Sequence, residues 1–444
     1  MTAHPMLAIM PLLEAGREEE LAGFLSSLHP ADLAEAMAPL DMEDTIKVMG
    51  LLDIQLAADV LVELSDSTRD EVARTLPVEK LTRLVDEMDT DDAADIVGEL
   101  PDEAAKEVLS GLDTEDQEDV RRLLMYGEDT AGGIMQAELV RLKSSDSVEA
   151  AVDRIRELAD EVGDLSSVFV VDESGVLKGE VSLRDLLLAR RGTLLGELIT
   201  RPPSLVLHVD EDQETAAQKF QKYDVKAAPV VDSQMRLLGR VTVDDIIDVV
   251  HEEADQDFYR LAGSSEEELA GVGAARTATL RLPWLLFNLG GGFLTSFILA
   301  YFEKSFRETM ALVAFVPMVM GLSGAVGSQC STITVRSLAM GRIAGGQVFK
   351  NIVKEQKVSS LLAITLGLAI ALVSGSIHQA MRLGAAVGCS IAAAMLVSAF
   401  MGVMTPVAFK AANIDPALAS GPVVTSTSDV VSLLIYSLVG TSIV

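Results

Sequence analysis

Five long apolar runs close this chain, and they constrain what it can fold into more than any other feature. They cover residues 282–302, 309–335, 358–381, 383–409 and 416–444. Each exceeds the ~20 residues a helix needs to cross the hydrocarbon core of a bilayer. Core helices of water-soluble proteins rarely run so far with so little charge, so five membrane spans are predicted. Charge divides along the same line. Residues 276–444 hold 11 Lys/Arg against 5 Asp/Glu, a balance of +6, which leaves −38 on residues 1–275 of a chain whose total is −32. A strongly anionic front joined to an apolar rear points to a protein that handles cations, and gives no footing for nucleic acid.

Residues 1–10 have no basic stretch of the kind that opens a secretory signal, so the front is expected in the cytosol. Arg276 and Arg281 precede the first run. Arg336, Arg342, Lys350, Lys354 and Lys357 crowd the connection between the second and third, and Lys410 follows the fourth. The positive-inside rule places these segments inside and the C-terminus outside. The expected location is the inner (cytoplasmic) membrane, crossed several times. Cys330 and Cys389 lie in separate runs with no Cys or His at ligand spacing, and read as packing residues.

The front carries two internal repeats. Residues 28–37 (LHPADLAEAM) and 88–97 (MDTDDAADIV) share a polar cap, an acidic first turn and apolar positions at helical spacing. Short helices stacked into a superhelix are predicted there, with Leu76-Pro77 and Leu100-Pro101 as punctuation. Further on, residues 168–185 (VFVVDESGVLKGEVSLRD) parallel residues 228–245 (APVVDSQMRLLGRVTVDD). Each reads as strand, turn, strand, then a helix opened by Ser182 or Thr242 with an Asp three residues on, Asp185 or Asp245. A charged helix rich in Asp248, Glu252, Glu253, Asp255 and Asp257 leads towards the first span, loosened by Gly263, Gly271 and Gly273.

Two segments of the rear carry chemistry. In the second run, Pro317 is expected to break a helical hydrogen bond. Gly321, Gly324 and Gly327 give a bare face that an ion or a neighbouring helix can approach. In the last run Asp429 sits about a dozen residues from the start, behind the hydroxyls of Thr425, Ser426, Thr427 and Ser428. A carboxylate at that depth is costly unless it faces water or a cation. No cationic side chain lies at comparable depth in the other runs, so a passing cation is favoured over a salt bridge. Oxygen ligands suit a hard divalent ion, and Mg2+ would keep several of its waters.

The duplicated unit resembles a tandem pair of cystathionine-β-synthase (CBS) domains. Residues 415–422 (DPALASGP), the Thr425-Ser426-x-Ser428-Asp429 segment and residues 433–436 (LLIY) resemble the last span of the MgtE family of magnesium channels and transporters. The resemblance implies a multidomain fold. An all-α superhelical N domain (1–128) would precede α/β tandem CBS domains (129–250), a plug helix (246–275) and a five-span pore domain (276–444). It implies a homodimer in the lipid bilayer with the pore at the dimer interface, Asp429 holding hydrated Mg2+, and a cytosolic Mg2+ sensor. By position, Asp91 and Asp95 match sensor acids of the N domain. Asp245 and Asp248 match acids at the end of the CBS pair, and Glu253 and Asp257 match acids of the plug. Tyr259 to Gly263 (YRLAG) ends the plug in the family manner. The implied pore lining is Pro317, Gly321, Gly324, Ala325, Gly327, Ser328, Gln329, Asp415 and Thr425.

The chain departs from the family pattern at Ser323, Ala325 and Ser328, where Gly, Asn and often a second Asn are usual, and Gln256 replaces an acid in the plug. Lost amides remove ligands to ion-bound water. The expected function is import of Mg2+, with closure by cytosolic Mg2+ that draws the acidic modules together. A channel for Co2+, Mn2+ or Ca2+ and a non-transporting CBS-type sensor are the alternatives. An enzyme is not expected. ATP at the CBS domains is a further candidate, with Ser182, Asp185 and Thr242 near the ribose, although helix capping accounts for the same residues.

Overall fold

A computed structural model of the protein describes residues 6–158, 165–199, 202–265, 268, 273–308, 310–339, 347–419 and 421–443; Arg342 and Gly271 lie outside them. The chain forms two compact units, Met1–His251 and Glu252–Val444.

The first unit begins with short helices, from Met6–Glu14 to Thr114–Leu123, each of 8 to 10 residues. Their ends are written locally. Asp41 and Asp53 accept from the backbone N–H of Asp44 and Leu56, three residues into the helices they cap. Pro77 and Pro101 stand just before Val78–Val85 and Asp102–Gly111. Pro30–Met37 packs on Ile54–Glu63, which packs on Val78–Val85, which packs on Asp102–Gly111. Each helix thus meets the next but one, and Leu33, Leu61, Leu84 and Val108 form a continuous buried seam. This is the expected superhelix.

Two three-stranded sheets follow. Arg141–Lys143, Ser167–Val171 and Leu177–Ser182 form one; Leu207–His208, Ala227–Val231 and Leu237–Thr242 form the other. In each, the first strand is parallel to the second and the second antiparallel to the third, with a register shift at Val170/Val171 and again at Val230/Val231. The copies meet through their turns. Leu177 N–H donates to Met235 O, and Leu237 N–H to Gly175 O. Gly175 and Met235, the equivalent turn residues, both have positive φ (82° and 62°). This reciprocity is the pseudo-twofold relation of a CBS pair.

In the second unit five helices are long and apolar enough to cross a membrane: Ala274–Tyr301, Met310–Ala339, Gln347–Ile377, Met381–Ala411 and Pro422–Ile443. The fourth is central, packed against the second, third and fifth, whereas the first packs mainly on the fifth. Glycines let the helices close. A Cβ on Gly388 would lie 2.3 Å from the carbonyl oxygen of Gly367, and one on Gly402 would lie 2.3 Å from that of Gly327.

Three local expectations change. The break expected at Pro317 falls at a helix start rather than within a helix: the second span is interrupted between Met310–Val313 and Val316–Ala339, and Pro317 sits in the first turn of the latter, where its missing N–H has no acceptor to lose. Lys350, Lys354 and Lys357 are not in a loop, because the third span begins at Gln347 and carries them on its first turns. The charged helix begins a little earlier and ends sooner than the expected 246–275, running unbroken over Val243–Ala262. Cys330 is buried as expected, but Cys389 is exposed on the surface of this chain.

Candidate ion site and acidic clusters

Asp429 is the eighth residue of the fifth span, half-buried. Among the described residues no hydrogen bond or ion pair reaches its carboxylate. A Cβ on Gly324 would lie 3.6 Å from Asp429 Oδ1, so the glycine leaves the carboxylate room against the second span. Thr425 is one turn before Asp429 on the same face, and its hydroxyl lies 3.5 Å from that of Ser328. Gly324, Ser328, Thr425 and Asp429 therefore come together. Pro317, Gly321, Ala325 and Gln329 lie on an exposed stripe of the second span beside them.

Two expected lining residues do other work. Gly327 faces the protein interior, where a Cβ would meet Ser398 Oγ at 2.6 Å and Ser428 Oγ at 2.8 Å. Ser428 is likewise turned inward and bonded to Ser398. Asp415 stands before the fifth span rather than along it. It accepts from Ala417 N–H at 2.7 Å and pairs with Arg260.

The first acidic cluster surrounds the N-terminus of Thr90–Gly98, which presents Asp91 and Asp92 in its first turn. That helix is docked on the CBS pair by Glu138. Its carboxylate accepts Thr90 N–H at 3.1 Å and Thr90 Oγ1–H at 2.9 Å, while Ala137 N–H donates back to Thr90 Oγ1 at 2.8 Å. Docking crowds Asp91, Asp92, Asp89 and Asp245. Asp91 is buried, one of its oxygens has no partner, and desolvation with repulsion from Asp92, Asp245 and Asp89 raises its pKa far above the carboxylate range. Desolvation, Asp89, Asp95 and Asp245 push Asp92 to about 8. Asp95 keeps solvent contact and reaches about 6, through desolvation and then Glu128, Asp66 and Asp245, against the pull of Arg69. Asp245 is raised by desolvation although its Oδ2 accepts from Thr242 N–H (3.0 Å) and Oγ1–H (2.7 Å). Asp248 is raised by desolvation, and Asp244 and Asp66 add to it.

The second cluster holds Glu253, Asp257 and Asp415. Desolvation, then Asp415 and Glu253, push Asp257 to about 6 against the pull of Arg260 and Arg336. Among the described residues no three His, Cys, Asp or Glu converge tightly enough to hold a bare metal ion. A divalent ion that keeps part of its water shell needs no such convergence.

Ser182 caps the helix Leu183–Leu188, accepting from Asp185 N–H at 3.1 Å and donating to Asp185 Oδ2 at 2.8 Å. Thr242 instead donates both its N–H (3.0 Å) and its hydroxyl (2.7 Å) to Asp245 Oδ2, so local contacts at the two helix starts engage Ser182, Asp185 and Thr242, the residues weighed for a nucleotide. Sequence reasoning passed over Asp89, Asp92 and Glu138. The first two were legible as an acidic helix start, but Glu138 acts only through its partner 48 positions away. It also passed over Glu355, buried on the third span beside Cys330 Sγ (3.9 Å).

Comparison with known proteins bears on these arrangements. Residues 316–439 match the MgtE divalent cation transporter family, residues 28–129 the MgtE intracellular N domain, and residues 131–192 and 195–252 the CBS domain. The magnesium transporter MgtE of Bacillus subtilis is 31% identical over 99% of this chain and 97% of its own. That of Thermus thermophilus is 33% identical over 97% and 96%. Among solved structures, the cytosolic domain of the Mg2+ channel MgtE in complex with ATP has a TM-score of 0.52 at 35% identity, covering 55% of this chain and 99% of its own. With identity of this order along nearly its full length and five apolar helices, the chain is a multi-pass membrane protein of the MgtE family, a family of magnesium transporters and not of enzymes.

Proposed function

We propose that the chain imports Mg2+ through the cytoplasmic membrane as a homodimer, and that cytosolic Mg2+ closes it. The observation that carries the transport reading is Asp429. It is an intramembrane carboxylate with no partner among the described residues, set on a face of glycine and hydroxyl groups. Such a group in a membrane marks an ion path by default. The exposed stripe of Pro317, Gly321, Ala325 and Gln329 beside it is the surface a second copy would cover, enclosing the path between two chains. An inside-negative potential drives the cation inward, with the N-terminal unit in the cytosol and the C-terminus outside. Domain limits near 1–128, 129–250, 246–275 and 276–444 fit this division of labour.

Closure rests on the two acid clusters. Asp91, Asp95, Asp245 and Asp248 crowd where the N domain meets the CBS pair, and Glu253 and Asp257 crowd beside Asp415. In each cluster the acids outnumber the cations beside them, Arg69 in the first and Arg260 and Arg336 in the second, so hydrated Mg2+ favours the docked arrangement over a separated one. A ligand shifts such an equilibrium by its difference in affinity between the states. Metal-dependent uptake in cells lacking their own Mg2+ importers tests the transport reading; normal uptake by Asp429→Ala would end it. Flux indifferent to millimolar cytosolic Mg2+ would end the sensor reading.

A second reading concerns the ion. Ala325, next to Gly324 on the second span, exposes a methyl group where the family pattern has an amide. A channel that also passes Co2+, Mn2+ or Ca2+ is the result to look for in competition assays. ATP at the CBS pair is supported by the related cytosolic domain solved in complex with ATP; equilibrium dialysis with labelled ATP tests it.

A further inference from the structure

The fifth span is anchored on both flanks of its ion-facing stripe. At ~100° per residue, Ser426 and Ser428 lie about 80° to either side of the line midway between Thr425 and Asp429. On one flank Ser428 Oγ and Ser398 Oγ are 2.9 Å apart, and Ser398 Oγ donates to the carbonyl of Ser323 at 2.6 Å, which ties the fifth span to the fourth and second. On the other flank Ser426 Oγ–H donates to Asn288 Oδ1 on the first span. The helices close tightly there: a Cβ on Gly291 would lie 3.0 Å from Ser426 Cβ.

Asn288 is at the middle of Ala274–Tyr301, between apolar neighbours. A side-chain amide at that depth gives this helix pair a directional contact, and polar side chains in membranes act as interhelical glue. The first span has little other anchorage, since it packs mainly on the fifth. Without the Asn288 bond, the fifth span is held by polar contacts and by its packing on the second and fourth spans along one side only, and can turn about that edge. Asp429, between the two anchors, would then change its direction.

We propose that Asn288 is a positioning residue for Asp429: its bond to Ser426 sets the rotation of the fifth span and so the direction from which the carboxylate meets the hydrated ion. The proposal rests on the reading of Asp429 as the ion-binding group. It matters more in this chain than in relatives with amides at the positions of Ala325 and Ser328, because fewer side chains here can hold the ion's water if the carboxylate is misdirected.

The test is Mg2+ uptake by the full chain in cells without other importers, measured over a range of external Mg2+. Asn288→Leu and Ser426→Ala should each raise the half-saturating Mg2+ about tenfold, with the maximal rate within about twofold. The double variant should be no worse than either single one, since one bond is lost in all three. Leu289→Ala, next along the same helix on an exposed face, should leave half-saturation unchanged. If Asn288→Leu does not reach the membrane, Ser426→Ala carries the test. Parental half-saturation in Ser426→Ala, additive losses in the double variant, or an equal shift in Leu289→Ala would each overturn the positioning role. Normal uptake by Asp429→Ala would remove the ion-site reading itself. An inactive Asp429→Ala beside parental behaviour in Ser426→Ala removes only the role of Asn288.

Discussion

Arg260 donates to the carboxylate of Asp415 and so ties the last turns of the helix Val243–Ala262 to the segment that opens the fifth span. The backbone closes the same joint, for a Cβ on Gly421 would lie 2.4 Å from the carbonyl oxygen of Leu261. The helix that carries Glu253 and Asp257 is therefore coupled to the helix that carries Asp429. Arg260 is also a tethered cation among acids that a divalent ion would otherwise neutralise.

Arg260→Ala should loosen this joint. A partly exposed ion pair is worth up to about 1 kcal/mol, roughly a fivefold change in an equilibrium. The cytosolic Mg2+ needed to close the channel should rise by about that factor, because the joint through which the acidic helix acts on the fifth span is weaker. Patch-clamp over a range of cytosolic Mg2+ measures it, and a closing midpoint equal to the parent's would take the pair out of gating.

The docking of Thr90–Gly98 on the CBS pair should depend on pH when metal is absent. Asp92 (about 8), Asp95 (about 6) and the raised Asp91 and Asp245 hold protons more tightly when docked than when apart. The docked state therefore binds more protons, and its stability falls as pH rises from the ordinary carboxylate range near 4 to about 8. Protection of the full chain from protease should be strongest near pH 5 without Mg2+ and weaken by pH 8. Saturating Mg2+ should flatten the profile, and Asp92→Asn should reduce the metal-free slope.

Glu138→Ala should weaken the same docking from the other side. It leaves the N–H and hydroxyl of Thr90, a buried residue, without their acceptor. Losing such a capping group costs about 1–2 kcal/mol, so about tenfold more Mg2+ should be needed to protect the N domain from protease. Glu138→Gln keeps one acceptor and should lie between. Identical midpoints for all three proteins would show that Glu138 does not hold the helix.

Gly388→Ala should destabilise the membrane unit. Its Cβ would sit 2.3 Å from the Gly367 carbonyl and 2.7 Å from Ala371 Cβ, and a backbone atom cannot swing aside. Overpacking of this kind costs about 1–3 kcal/mol. Gly292→Ala, with nothing within 4 Å, should be neutral or slightly stabilising. Thermal unfolding in detergent compares the two, and equal midpoints would refute the packing role of Gly388.

Much of the fold is legible in the sequence. The five spans follow from uninterrupted apolar length, and the CBS pair from a repeated strand–turn–strand pattern. The local contacts of Asp41, Asp53, Ser182 and Thr242 follow from spacing, because these features are set by neighbours within a few residues. Asp429 stood out for the same reason, as a carboxylate in an apolar run.

What tertiary structure decided is which side of each element faces what. Period and spacing place Gly324 and Gly327 alike on the second span, yet one opens towards Asp429 and the other receives Ser398 and Ser428. The hydroxyls before Asp429 look equivalent in sequence. Packing sends Thr425 to Ser328, Ser426 to Asn288 and Ser428 to Ser398. Glu138 and Thr90, or Arg260 and Asp415, find each other across 48 and 155 positions. The sequence by itself determined the elements, their order and the polar residues they carry, because those depend on local backbone preference and on transfer between water and lipid. The pairing of those polar residues depends on helix rotation and contact between distant segments, and only the folded chain settles it.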